Sequence, residues 1–225
     1  MYEALPLVDR DKIHDWVCPV RWDFTSVQEM LDHRIAFKLR VSQGDIWGGL
    51  LPENAFREIW NSSNGRPREA IRLATLAATT AVEEGHTKIT SGDIISAIRR
   101  FSNERIREVT GEWTYQFPGI ELIVRKMEGW PKEFAFSQIE ELVEITHLEI
   151  QCGDPGSNLY SWVTGFAGNP MGFARVLLNA EILWIKRSRT DDATVFDPLR
   201  PVELTKDRWF AIHPMFAPGL GLVGA

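Results

Sequence analysis

The sequence predicts a mainly α-helical chain with a small α+β part: a helical bundle followed by a winged-helix domain. Apolar residues recur at helical spacing from about residue 22 to residue 130. Strand-like runs are confined to "LWIKRS" and "RWFAIHPMF" near the end of the chain. The composition, 44% hydrophobic over 225 residues, is that of a globular chain long enough to bury a sizeable core in one or two domains.

Residues 1–20 mix Pro, Asp and aromatics without a sustained period and read as an irregular lead-in. From "WDFTSVQEMLDHRIAFKL", Val27, Met30, Leu31, Ile35 and Leu39 make one amphipathic helix that Thr25 or Ser26 can cap. The chain breaks at Gly44, Gly48 and Gly49, after which Ala55, Phe56, Ile59 and Trp60 set a short second helix. In "NSSNGRPREAIRLATLAATTAVEEG", Asn64 can cap, Pro67 suits a first turn, and Ile71, Leu73, Ala74, Ala77, Ala78, Ala81 and Val82 follow before Gly85 stops the helix. A further helix is expected from about Thr90, with Ile94, Ile95, Ala97 and Ile98 as its stripe, and another from about Ser102 to Tyr115. Pro118 and Gly119 close it, and "IELIVRKMEGW" adds a helical turn or two.

At "GWPKEF" the signals become mixed, which places a domain boundary near residue 130 and gives domains of residues 21–130 and 131–225. "FSQIEELVEIT" and "NLYSWVTGF" read as helices, and "NPMGFARVLLNAEI" repeats the device of an Asn cap followed by Pro. Two strands then flank a long polar loop that can hold a third strand around Val195 and Phe196. Helices followed by a β-hairpin are the order of a winged helix.

A formal charge of -6 argues against a chain whose whole surface serves nucleic acid, although a local basic face stays possible. Cys18 and Cys152 form no CxxC pair, and the five histidines show neither H-x-x-x-H nor H-E-x-x-H spacing, so no disulfide framework or local metal site is indicated. Trp60, Trp113, Trp130 and Trp162 read as core residues, and His213 as a hydrogen-bonded strand histidine. No apolar run reaches the length of a membrane span, and the N-terminus lacks a signal pattern, so a cytoplasmic protein with no membrane partner is expected.

Arg66 and Arg68 stand where a helix already presents its positive end. Cations there are mildly unfavourable unless an anion is supplied, so the pair points to an anion from elsewhere; Glu69 with solvent is the simpler compensation.

"NGRPREAIRLATLAATTAVEEGHTKITSGDIISAI" resembles the helical lid of AAA+ and STAND-type P-loop ATPases, in which a G-x-P-R element opens a lid helix and its arginine faces the nucleotide phosphates. With "WDFTSVQEMLDHRI", "ERIREVTGEWTYQFPGIE" and "FAIHPMF", the chain from about residue 20 to 216 is similar to the C-terminal half of such ATPases, a kind associated with phage defence. The resemblance makes Gly65, Pro67 and Arg68 the nucleotide-binding element, Arg68 the phosphate-sensing residue, and ATP the cofactor once a complementary core is present. Arg66 occupies the variable position and inherits no role. Residues 1–20 would then be a remnant of, or connection to, the core. The sequence departs from the family in lacking GxxxxGK[ST] and a strand ending in acidic residues before Trp22, so it is expected to be no enzyme alone and to rely on a P-loop core upstream in cis or on another subunit.

Residues 131–225 carry eight Lys/Arg against twelve Asp/Glu. The expected recognition helix has only Arg175 as a cation, beside Asn179 and a phosphate-repelling Glu181, and the one basic cluster is Lys186, Arg187 and Arg189. Arg175, Lys186, Arg187 and Arg189 are therefore the candidate contacts to a partner, with protein favoured over DNA. The competing reading is a stand-alone winged-helix DNA-binding regulator whose residues 1–130 form a dimerisation bundle.

Overall fold

A computed structural model describes residues 22–192 and 203–222. The lead-in, and the strand expected around Val195 and Phe196, lie outside the described residues. Helix α1, Phe24–Leu39, opens on Asp23, whose carboxylate accepts the Ser26 N–H at 2.7 Å; the cap therefore lies two residues earlier than Thr25. Val27 and Leu31 are buried, whereas Leu39 is exposed in the last turn. A 3₁₀ turn at Gln43–Asp45 leads to α2, Ala55–Ser63, which buries Ala55, Phe56 and Ile59.

Helix α3, Pro67–Glu83, starts at the expected proline, but Asn64 is not its cap. Asn64 ends α2 in the left-handed region at φ 52, followed by Gly65 at φ +67. A Cβ on Gly65 would lie 3.0 Å from the Trp60 ring, so both the turn and the packed indole require glycine. In place of two helices after Thr90, one continuous α4 runs Ser91–Trp113, because "FSNERIREVT" contains no breaker. It opens with a capping box in which the Thr90 hydroxyl accepts the Asp93 N–H and Asp93 accepts the Thr90 N–H. Helix α5, Ile120–Arg125, completes the helical part.

Next comes a strand absent from the sequence reading, β1, Glu133–Ala135. Helix α6, Phe136–Cys152, a 3₁₀ stretch at Ser157–Phe166, and α7, Pro170–Asn179, follow; the Asn169 side chain caps α7 through the Gly172 N–H. Strands β2, Leu183–Lys186, and β3, Trp209–Ile212, complete an antiparallel sheet of order β1-β3-β2. This succession of elements and this strand order are the winged-helix topology, and the chain is mainly helical with one small sheet, as the sequence predicts.

The register places Phe134, Phe210 and Ile185 on one sheet face, with Phe210 packed against Phe136 of α6. Glu133, Ala211 and Trp184 share the other face, which looks onto α2 and α4. One hydrophobic cluster runs from Val27 through Phe101 and Met127 to Phe173 and Phe216, crossing the expected boundary at residue 130. Hydrogen bonds cross it as well: Gly129 N–H to Leu220 O at 3.0 Å, Gly219 N–H to Ser102 Oγ at 2.8 Å, and Trp162 Nε1–H to Pro118 O at 2.8 Å.

Candidate functional site

The first turn of α3 is the candidate site. Arg66 holds the N-cap position with extended backbone and no side-chain cap, Pro67 follows, and the first bond into the helix runs from Ala70 N–H to Arg66 O. The earlier N–H groups of Arg68 and Glu69 have no acceptor among the described residues, as the start of any helix requires. The Arg68 side chain is exposed and likewise has no partner among them. Trp22, Arg66, Pro67, Arg68 and Glu69 line a hollow of about 360 Å³ over this turn.

Arg66 differs from Arg68 in having its anion supplied by the winged-helix part. Its Nη2 lies 3.3 Å from Oε2 of Glu181, with both side chains about half exposed. Glu181 sits beyond the end of α7 at φ 53, in the turn into β2, so it is not presented on a recognition-helix face as the sequence implied. Nothing in the sequence around Glu181 marks it as the partner of an arginine 115 residues away.

Behind this contact lies His213, hydrogen-bonded as the sequence suggested, in a burial beside two arginines that the sequence did not disclose. His213, just past β3, is 2% exposed; its Nδ1 accepts the Met215 N–H at 3.1 Å, which leaves the ring proton on Nε2. Its ring meets Trp184 edge-on at 5.0 Å and Phe216 at 5.2 Å. Burial, reinforced by the charges of Arg66 and Arg105, lowers its pKa to about 4, so the imidazole is neutral at neutral pH. Arg105 of α4 donates to Glu108 at 2.7 Å, while its Nε–H is buried without an acceptor among the described residues. Arg72 forks onto Glu104 and Glu108 at 2.8 Å each, holding α3 against α4; these hydrogen bonds raise the Arg72 pKa and lower that of Glu108.

The winged-helix cations divide differently from expectation. Lys186 is 4% exposed, and its ammonium pairs with Glu133 across the sheet face at 2.5 Å, so it is a buried ion-pair member and not part of a contact cluster. The reason is the pleat: Lys186 shares a face with Trp184 and Glu133, turned toward the helical bundle. Arg187 and Arg189 are exposed at the strand end, with Arg189 over the Trp209 ring at 5.5 Å. Arg175 is exposed on α7.

Among the described residues no group of three His, Cys, Asp or Glu could hold a metal ion, and no helix is long and apolar enough to cross a membrane. The fold and site therefore define a helical bundle carrying a G-R-P-R helix start, joined to a winged helix that reaches back to that start. The family model of a FunZ-associated C-terminal helical domain matches residues 25–110, which include α1 to α3, most of α4 and the G-R-P-R turn. No curated protein and no solved structure matches the chain.

Proposed function

We propose that the chain is the regulatory and interaction half of an ATP-driven switch, acting with a P-loop ATPase core supplied in cis or in trans. Arg68 reads the nucleotide phosphate, and the winged helix contacts a protein partner in preference to DNA. The observation that carries this reading is the contrast at the start of α3: Arg66 is engaged by Glu181, whereas Arg68 stands exposed at the positive end of a 17-residue helix with no anion among the described residues. The match of residues 25–110 to a domain described as C-terminal and helical supports a chain that works attached to, or beside, other parts. An antiviral role rests on the likeness to defence-associated ATPases, and the AAA+ or STAND lineage rests on the G-R-P-R turn.

The sequence carries no P-loop motif and no metal-binding group is found among the described residues, so purified protein with ATP and Mg²⁺ should release phosphate only at background rate. In complex with a complementary core, Arg68→Ala should reduce hydrolysis or switching by about 2 to 4 kcal/mol, the scale for removing a preorganised charge from a developing anion. Arg66→Ala should reduce it much less. Equal, small effects from both substitutions would return Arg68 to surface decoration and sink the reading.

A further inference from the structure

A cleft of about 680 Å³ lies away from the two arginines, where the second face of the sheet meets α2 and α4. That volume falls in the range of small-molecule sites, and its position between two structural parts is a common one for them. Its floor is apolar, built by Ile98 of α4, Ala211 of β3, the Trp184 side chain and Leu222. Exposed Arg99 and Lys132 also line it, and neither side chain has a partner among the described residues. Glu133 lines it too, but its charge is taken up by Lys186. Glu58 is then the one uncompensated acid among the lining residues, against two free cations. The Trp184 indole N–H is buried beneath this floor without an acceptor among the described residues.

We infer that this cleft binds an amphiphilic organic monoanion: an apolar ring or chain seated on the Ile98, Trp184 and Leu222 floor, with one carboxylate held between Arg99 and Lys132. The apolar floor favours a hydrophobic body, and the net excess of one positive charge favours an anion over a neutral or cationic ligand. Because the floor draws on both α4 and the sheet, occupancy ties the helical bundle to the winged helix at a second place, away from Arg68. The site stands independently of any nucleotide.

The test is a titration of the full chain with 2-naphthoate and with its neutral analogue 2-naphthylmethanol, followed by the indole N–H signals in a two-dimensional amide spectrum. Trp184→Phe identifies the Trp184 signal. The carboxylate should move that signal saturably with a Kd on the order of 0.1–1 mM, the range expected for so small a ligand. The alcohol should bind about tenfold more weakly, and Arg99→Ala with Lys132→Ala should bring the carboxylate to the level of the alcohol. Both substituted side chains are exposed, so the double variant keeps the fold, and it decides the matter even if Trp184→Phe does not fold. No movement of an indole signal up to about 5 mM, equal affinity for acid and alcohol, or undiminished binding by the double variant would each overturn the assignment.

Discussion

His213 makes the stability of this protein depend on pH in a way that can be isolated. The residue is 2% exposed, its Nδ1 already accepts the Met215 N–H, and burial together with Arg66 and Arg105 lowers its pKa to about 4. In the unfolded chain the same imidazole titrates near its ordinary value of about 6.5. As pH falls below that value, the unfolded state takes up a proton that the folded state refuses, so folding weakens; the loss continues down to the folded pKa. Between pH 7 and pH 5 the loss from this one group is about 2 kcal/mol. His213→Asn keeps an acceptor near the Nδ1 position and removes the titration, at a packing cost of about 1–2 kcal/mol from the lost ring contacts with Trp184 and Phe216. Urea unfolding followed by circular dichroism at pH 7, 6 and 5 should show the wild-type protein more stable at pH 7 and its advantage shrinking by about 2 kcal/mol at pH 5. The hydrogen-bonded carboxylates of Asp93 and Glu108, whose pKa values are lowered, are common to both proteins and lose their contribution at lower pH, so they cancel in the difference. Parallel stability curves for the two proteins would refute the claim that a neutral imidazole is enforced by burial beside two arginines.

Lys186→Glu should destabilise the fold by about 2 kcal/mol or more, since it puts a carboxylate at a buried position beside the half-exposed Glu133, whereas Arg187→Glu with Arg189→Glu should cost under about 1 kcal/mol and serve as the clean probe of partner contact. Chemical denaturation distinguishes the two, and equal small losses would contradict the buried pair with Glu133. Asp93→Ala should cost about 2 kcal/mol, because it removes the capping-box acceptor of α4 and leaves the Thr90 N–H unpaired; a loss near zero in the same assay would mean that the cap is dispensable. For duplex DNA, the exposed cations Arg175, Arg187 and Arg189 allow release of at most about three counterions, so log K against log salt should have a slope of about -3 or shallower and no sequence preference. Tight, sequence-specific binding at 150 mM salt, on the order of nanomolar, would promote the stand-alone regulator over the protein-contact reading.

Local chemistry determined what the sequence by itself could say about this protein. Pro67 after a polar turn, Asn169 before Pro170, and Thr90 three residues before Asp93 are start signals whose physics acts within one helical turn, and α3, α7 and α4 begin where those signals stand. Apolar spacing likewise marked the helices, and short strand-like runs marked β2 and β3. The misreadings concern choices between neighbours of similar propensity. Asp23 competed with Thr25 for a cap, and Asn64 can end one helix as readily as begin the next. The three-residue β1 carries too short a pattern to stand out, and it exists because β3 offers it an edge. What only the tertiary structure decided are the pairings across long separations. These are Glu181 on Arg66, Lys186 turned inward onto Glu133, His213 buried beside Arg66 and Arg105, and the cleft between α4 and the sheet. Each depends on where two distant segments come to rest, and a charged side chain looks the same in sequence whether it faces water or a partner a hundred residues away.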